Sequence, residues 1–255
     1  TWIELAIIAT MLAPTDAALG KAVVTNPKVP SKIREALNVE SGLNDGISVP
    51  VLYLLIALSE AHEISDVSVQ FGMGLFLEAI GIGLLVGLVL AFLGDRLIQY
   101  GEKKKWLVDS WKPIVILALA FAIFSLAQLL GGSGFIACFV GGVLYGSVNK
   151  GHKLELIVEA EGAADTLSLV TWFLFGTIVL TSYHTHFSWE VVVYALLSLT
   201  VIRILPVMIS LLGSGTPLRQ QLFMGWFGPR GLASIVFAII VLDIQLPHRE
   251  TIILT

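Results

Sequence analysis

The chain has 255 residues, 56% of them hydrophobic and only 13% charged, where a soluble domain carries about 25% charged residues. That balance excludes an ordinary soluble fold and points to an all-α polytopic membrane chain, while the one cysteine, Cys138, excludes an internal disulfide. The net charge of −4 says little about partners, and the basic residues need no nucleic acid to account for them.

About 20 apolar residues cross a hydrocarbon core of roughly 30 Å. Windows of that size predict eight spans, at 2–24, 39–59, 71–94, 112–130, 134–148, 164–181, 190–213 and 221–243, with a ninth starting near Thr251. Thr1 stands at the edge of one apolar run and Thr255 inside another, so the chain is expected to be an internal piece of a longer membrane protein. The first span has no basic leader or small-residue cleavage site and does not read as a signal peptide.

Basic residues near span ends stay cytoplasmic, whereas acidic ones carry little topological weight. One set of alternate loops holds twelve basic residues: Lys21, Lys28, Lys32, Arg34, Arg96, Lys103, Lys104, Lys105, Lys112, Lys150, Lys153 and Arg219. The opposite set holds Arg249 alone. The loops at 25–38, 95–112, 149–163 and 213–220 are therefore expected in the cytoplasm, in a multi-pass protein of the plasma (inner) membrane. Pro27–Leu37 reads as a short amphipathic connector on that surface.

In the first span Pro14 precedes Thr15 and Asp16. Proline removes a helix hydrogen bond and clashes with the preceding turn, so this span and the eighth, where Pro229 lies between Gly228 and Arg230, are each expected to split into two half-helices. They run in opposite directions, which is the sequence pointer to an inverted-repeat transporter with its ion site at the midplane. The bland alternative is an ordinary proline kink, which membrane helices tolerate. A carboxylate near the bilayer centre costs at least about 2.5 to 3.5 kcal/mol, so Asp16, and Asp45 in the second span, are functional candidates by default.

In that second span Ser41 and Asp45 lie four apart on one helical face, with Glu40 and Asn44 on the neighbouring one. These are hard oxygen donors or the residues that hold them, suited to a small alkali cation or a proton and not to a soft metal. Arg203 sits in the middle of the seventh span and cannot lose its charge. It needs a carboxylate, for which Glu40 is the best candidate, in a pair that either ties two helices together or binds the ion.

PTDAALG, KVPSKIREALNVESGLNDGISVPV, GSGFIACFVGGVLYG, TLSLVTWFLFGTIV, the mid-span Arg203 and GWFGPRGLASIVFA follow one another in this order. The series resembles the sodium/proton exchanger family, the NhaP-like cation:proton antiporter-1 group, over nearly the whole chain. The resemblance implies an NhaA-like inverted-repeat fold with two crossing broken helices, incomplete here. Core helices would lie at 1–60 and 189–255, with linker and scaffold helices at 70–181. It further implies that Asp45 alternately binds proton and cation beside Asn44. Thr15 would offer a backbone or hydroxyl oxygen next to Asp16, and Ser41 would be a further Na+ ligand. Glu40 with Arg203 would be the family's ion pair between helices, and Arg230 the arginine of the second crossing helix. An Asn-Asp pair marks electroneutral exchange of one cation for one proton, since Asn44 cannot take up a second proton. Burial would favour protonated Asp45 and a bound cation the ionised form, so the two would compete. The implied partners are monovalent cations (Na+, K+ or Li+), protons, the lipid bilayer and a second copy in a homodimer, with no cofactor.

A cation channel or ion sensor on the same scaffold is the alternative, separated by flux stoichiometry. An aspartyl intramembrane protease also uses paired carboxylates. That reading leaves Arg203, Asn44 and both broken spans unexplained, and the Gly-x-Gly-Asp environment of such proteases is absent. His184 and His186 read as solvated loop histidines before a metal or pH-sensing site. Glu78 is expected near the outer end of the third span and Asp165 at the start of the sixth, solvated or capping it. Gly83, Gly87, Gly131, Gly132, Gly134, Gly141 and Gly142 read as close helix packing, because no βαβ context supports a dinucleotide motif. Cys138 reads as a packed thiol.

Overall fold

The computed structural model describes residues 2–16, 26–60, 69–108, 111–148, 153–182 and 188–242. Among them the secondary structure is helical apart from turns and one isolated bridge. The helices are α1 (Trp2–Leu12), α2 (Ser31–Glu60), α3 (Val69–Lys103), α4 (Lys112–Leu129), α5 (Gly134–Ser147), α6 (Lys153–Ser182), α7 (Trp189–Leu199), α8 (Val201–Ser210), α9 (Leu218–Trp226) and α10 (Leu232–Leu242). Lys21, Lys150, His184, His186, Arg249 and the ninth span from Thr251 lie outside the described residues.

Among the described residues five helical stretches are long and apolar enough to cross a membrane: Ser31–Ser59, Gly72–Lys103, Lys112–Leu129, Ala160–Val179 and Trp189–Ser210. The other three expected spans contain shorter helices. The segment at 134–148 is a helix of 14 residues, about 21 Å long at 1.5 Å per residue and short of a roughly 30 Å core. The first and eighth spans hold 11-residue helices, Trp2–Leu12 and Leu232–Leu242, next to non-helical stretches.

One further expectation is corrected. The sixth helix begins at Lys153, so Asp165 stands inside α6 and not at its start. The preceding LELIVEAEGAA is rich in Leu, Glu and Ala, which carry the helix onward. The expected seventh span is present as the stretch Trp189–Ser210, within which Thr200, with φ −115° and ψ −90°, separates α7 from α8.

The chain divides into two compact units, one of residues 1–44 and 171–255 and one of residues 45–170, with the boundary inside α2. In the second unit α3 packs on α5 and both pack on α4. Small residues allow the approach. A Cβ on Gly83 would stand 2.8 Å from the Ser133 carbonyl, and one on Gly87 would run into the Ala137 backbone. Ala91, Ile123, Ala127 and Ala137 form the buried core there, with Cys138 packed against it.

Within that unit Ser133 caps α5 by accepting from the Ile136 amide at 3.3 Å, and its amide donates to the Ala79 carbonyl at 2.9 Å. Its hydroxyl also donates to the Gly46 carbonyl at 3.2 Å. Pro50, inside α2, has no N–H to give the carbonyl four residues back, which is that of Gly46. The serine fills the gap the proline leaves, as backbone groups in an apolar medium require.

In the first unit α1 packs on α10 and α8 on α9. Ile7, Phe237 and Val241 are fully buried. A Cβ on Gly225 of α9 would come within 3.2 Å of the Ile204 Cα, so glycine sets the α8–α9 approach.

Candidate functional site

α1 stops at Leu12, ahead of the fully buried Pro14. Residues 13–16 are not helical, and neither are residues 227–231, between α9 and α10. The two stretches meet within the first unit. Thr15 and Arg230 form an isolated antiparallel bridge, and the Asp16 amide donates to the Pro229 carbonyl at 2.8 Å. Backbone groups released from a helix away from water need partners, and each stretch supplies them to the other.

The glycines around Pro229 make room for this meeting. A Cβ on Gly231 would stand 2.6 Å from the Asp16 Cβ, and one on Gly228 would stand 2.7 Å from the Arg203 Cζ. The sequence GPRG therefore places an arginine where one neighbour clears Asp16 and the other clears a second guanidinium.

Arg230 holds three interrupted elements together. Its Nη1 donates to the Leu12 carbonyl at the end of α1, and its Nη2 donates to the Ser198 carbonyl at 3.1 Å and the Ser198 hydroxyl at 2.9 Å. A cation at a helix C-terminus meets the negative end of the helix dipole. Ser234, in the first turn of α10, adds a hydroxyl to the Met11 carbonyl at 3.0 Å. Ser198 lies two residues before the break at Thr200.

From α2 the buried Ser41 hydroxyl donates to the Thr15 carbonyl at 2.6 Å. One residue earlier, Glu40 Oε1 lies 2.5 Å from Arg203 Nη1, and Asn44 Nδ2 reaches the same oxygen at 3.4 Å. Helical spacing accounts for the Asn44–Glu40 contact, since residues four apart share a face. The half-buried Asp45 follows Asn44 in α2 as the first residue of the second unit.

A cavity of about 430 Å³ opens in the first unit, lined among others by Leu12, Glu40, Asn44, Tyr194, Ser198, Arg203 and Arg230. Thr15, Asp16, Glu40, Ser41, Asn44, Arg203 and Arg230 are thus linked through hydrogen bonds, an ion pair or a shared cavity wall in one unit. Oxygen donors of neutral and anionic type stand beside fixed guanidinium charge, a setting suited to a small hard cation or a proton. Among the described residues no three His, Cys, Asp or Glu side chains gather for a metal ion.

Sequence reasoning missed Ser198, Ser234, Tyr194 and the clearance roles of Gly228 and Gly231. One signal was available for Ser198: together with Thr200 and Arg203 it interrupts the otherwise apolar run YALLSLTVIRIL. Ser234 had none, because one hydroxyl in a membrane helix ordinarily bonds back to its own turn.

Comparison with known proteins adds an independent line. The family model described as "Sodium/hydrogen exchanger, transmembrane" matches residues 1–255. The K(+)/H(+) antiporter NhaP of Alkalimonas amylolytica is 25% identical over 240 residues, covering 93% of this chain and 41% of that protein. The Na(+)/H(+) antiporter of Schizosaccharomyces pombe is 26% identical over 249 residues, 91% of this chain and 52% of that protein. The K(+)/H(+) antiporter NhaP2 of Shewanella sp. (strain ANA-3) is 23% identical over 250 residues, 98% of this chain and 43% of that protein. The chain spans about half the length of the curated relatives it matches.

Proposed function

This chain belongs to the sodium/hydrogen exchanger family, a family of transporters and not of enzymes, and on that footing we propose that it forms the ion-translocating part of a cation/proton antiporter. The complete protein exchanges a monovalent cation for H+ by alternating access. Its named relatives include K+/H+ and Na+/H+ antiporters, so the proposal commits to the charge class of the cargo.

The observation that carries this reading is the hydrogen-bonded meeting of the two unwound stretches, Thr15 with Arg230, braced by Ser41 one turn before Asp45. A site made of unwound backbone and side-chain oxygens at a helix interruption is how transporters bind small ions at membrane depth. Asp45 alternates between proton and cation, and Ser41 and Thr15 add oxygen ligands to the cation. Ser41 gives its hydrogen to Thr15, and a hydroxyl that donates keeps the chemistry of an acceptor oxygen. Asp16 contributes a second acidic group at the crossing.

Glu40 and Arg203 serve as the structural pair, and Asn44, tied to Glu40, holds the α2 face without titrating. One titrating carboxylate in the pair supports electroneutral exchange. Arg230 offsets the carbonyl ends of the broken helices. The inferred fold is the NhaA-like inverted repeat with two crossing broken helices, core at 1–60 and 189–255 and scaffold at 70–181. The complete protein is a homodimer in the plasma (inner) membrane with its basic loops cytoplasmic.

The test is cation-driven proton flux in proteoliposomes holding the complete protein, with and without a membrane potential, beside Asp45→Asn. Dissipation of the pH gradient by Na+ or K+ regardless of potential, with a dead variant, is the expected outcome. Normal exchange by the variant, or cation flow without counter-moving protons, overturns the assignment.

A further inference from the structure

α3 ends in a form that displays charge and aromatic surface together. Its last residues are Tyr100, Gly101, Glu102 and Lys103, and the chain continues Lys104, Lys105, Trp106. The Lys105 amide donates to the Glu102 carbonyl at 3.0 Å and the Trp106 amide to the Gly101 carbonyl at 2.9 Å. That pair of bonds is a Schellman cap, whose turning residue adopts the left-handed conformation usually left to glycine. Here a lysine takes it, with Lys105 at φ 57°, the one positive-φ non-glycine residue among those described.

The cap folds Trp106 back onto the preceding turn, where its ring meets Tyr100 edge-on at 5.6 Å between centroids. Lys104 Nζ stands 5.9 Å from the Tyr100 ring centre, and one span-end turn earlier Arg96 lies over Phe92 at 5.1 Å. Among the described residues this surface is left open. Trp106 is 71% exposed, and Val108, Trp111 and Tyr100 are exposed beside it. Lys112, at the start of α4, closes the turn by pairing with Glu102 at 3.0 Å. Residues 96–112 carry five basic side chains against two acidic ones.

The apolar part of α3 ends at Gly94, after about 24 residues from Phe71, or about 36 Å of helix, enough to cross the hydrocarbon. Arg96 and the capped turn therefore fall at the headgroup layer. Tryptophan and tyrosine settle at that level, and clustered lysines next to a membrane helix attract anionic lipid. A water-facing turn would not need the exposed tryptophans.

We propose that the α3 end, with Lys103, Lys104, Lys105 and Trp106 at its centre, is a docking site for the headgroups of anionic phospholipids. The aromatic rings set the depth and the ammonium groups select charge. The site lies wholly within the 45–170 unit and does not depend on the transported ion.

The test uses the complete protein, purified and exchanged into mixed micelles of phosphatidylglycerol and phosphatidylcholine, with retained lipid counted by native mass spectrometry. Wild type retains phosphatidylglycerol in preference. The triple variant Lys103→Gln, Lys104→Gln, Lys105→Gln retains at least about fivefold less, a floor set by the factor that a single juxtamembrane lysine is worth. The triple Lys→Arg variant keeps the wild-type preference, as does the control Lys28→Gln, Lys32→Gln. Equal retention by the triple Gln variant overturns the proposal, and so does an equal loss in the charge-preserving triple Arg variant or in the control.

Discussion

Ser41 donates its hydroxyl hydrogen to the Thr15 carbonyl at 2.6 Å, so the long helix α2 satisfies an oxygen in the unwound stretch that follows α1. Both residues are buried, and a carbonyl short of a donor in such a place costs about 1–3 kcal/mol.

Ser41→Ala removes that bond and a neighbouring oxygen together. The expected result is a rise of about tenfold in the apparent KM for the cation, matching about 1.4 kcal/mol, with a smaller effect on maximal rate. Ser41→Thr, which keeps the hydroxyl, stays within about threefold. Flux assays across a cation titration measure both, and an unchanged KM in Ser41→Ala removes the serine from the site.

The Glu40–Arg203 pair is partly shielded, with side-chain exposures of 24% and 10%. Removing one partner of a buried pair strands the other charge at a cost of about 3–5 kcal/mol, and partial exposure puts this pair at the low end. Thermal unfolding in detergent should show Glu40→Gln and Arg203→Met each less stable, and the double variant recovering most of the loss. Additive losses in the double variant would show that the two side chains do not depend on each other.

Gly231→Ala forces a methyl group to 2.6 Å from the Asp16 Cβ, whereas Gly176→Ala meets nothing within 4 Å. Overpacking of this kind costs about 1–3 kcal/mol; a glycine replaced by alanine on an open helix face gains up to about 1 kcal/mol. Transport should therefore fall at least tenfold in Gly231→Ala and remain near wild type in Gly176→Ala, whose melting temperature should rise. Normal transport by Gly231→Ala would place Asp16 elsewhere.

Ser133 and Pro50 supply a sharper coupling test. Ser133→Ala leaves the Gly46 carbonyl without its hydroxyl donor and should destabilise the protein by about 1–3 kcal/mol. Pro50→Ala restores an amide four residues on from Gly46, so the double variant should lose less than the two single effects predict. Strict additivity in thermal unfolding would break the link between the proline gap and the serine.

Composition and local spacing carried much of the reading. Apolar runs identify membrane helices because the bilayer demands a length and polarity that few other environments impose. Glu40 and Asn44 share a helix face because a helix repeats every 3.6 residues. Arg203 had to find a carboxylate because its charge is permanent. Helix limits were less legible. The 30-residue α6 swallowed Asp165 because the Leu-, Glu- and Ala-rich run before it carries the helix through Gly162, and α5 stopped at 14 residues.

Thus the residues of this chain, taken in order, already dictate a membrane-embedded, helical member of an exchanger family with charged groups, Asp16 and Arg230, beside proline breaks. That is information of short range, set by periodicity, proline geometry and solvation. Folding alone chose the partners separated by long stretches of chain: Arg230 on the Leu12 carbonyl 218 residues away, Ser234 on Met11, Ser133 on Gly46. A backbone carbonyl has the same chemistry at every position. Which one an arginine or serine reaches depends on where the helices stop and how closely glycines let them approach, and those distances exist only once the chain has packed.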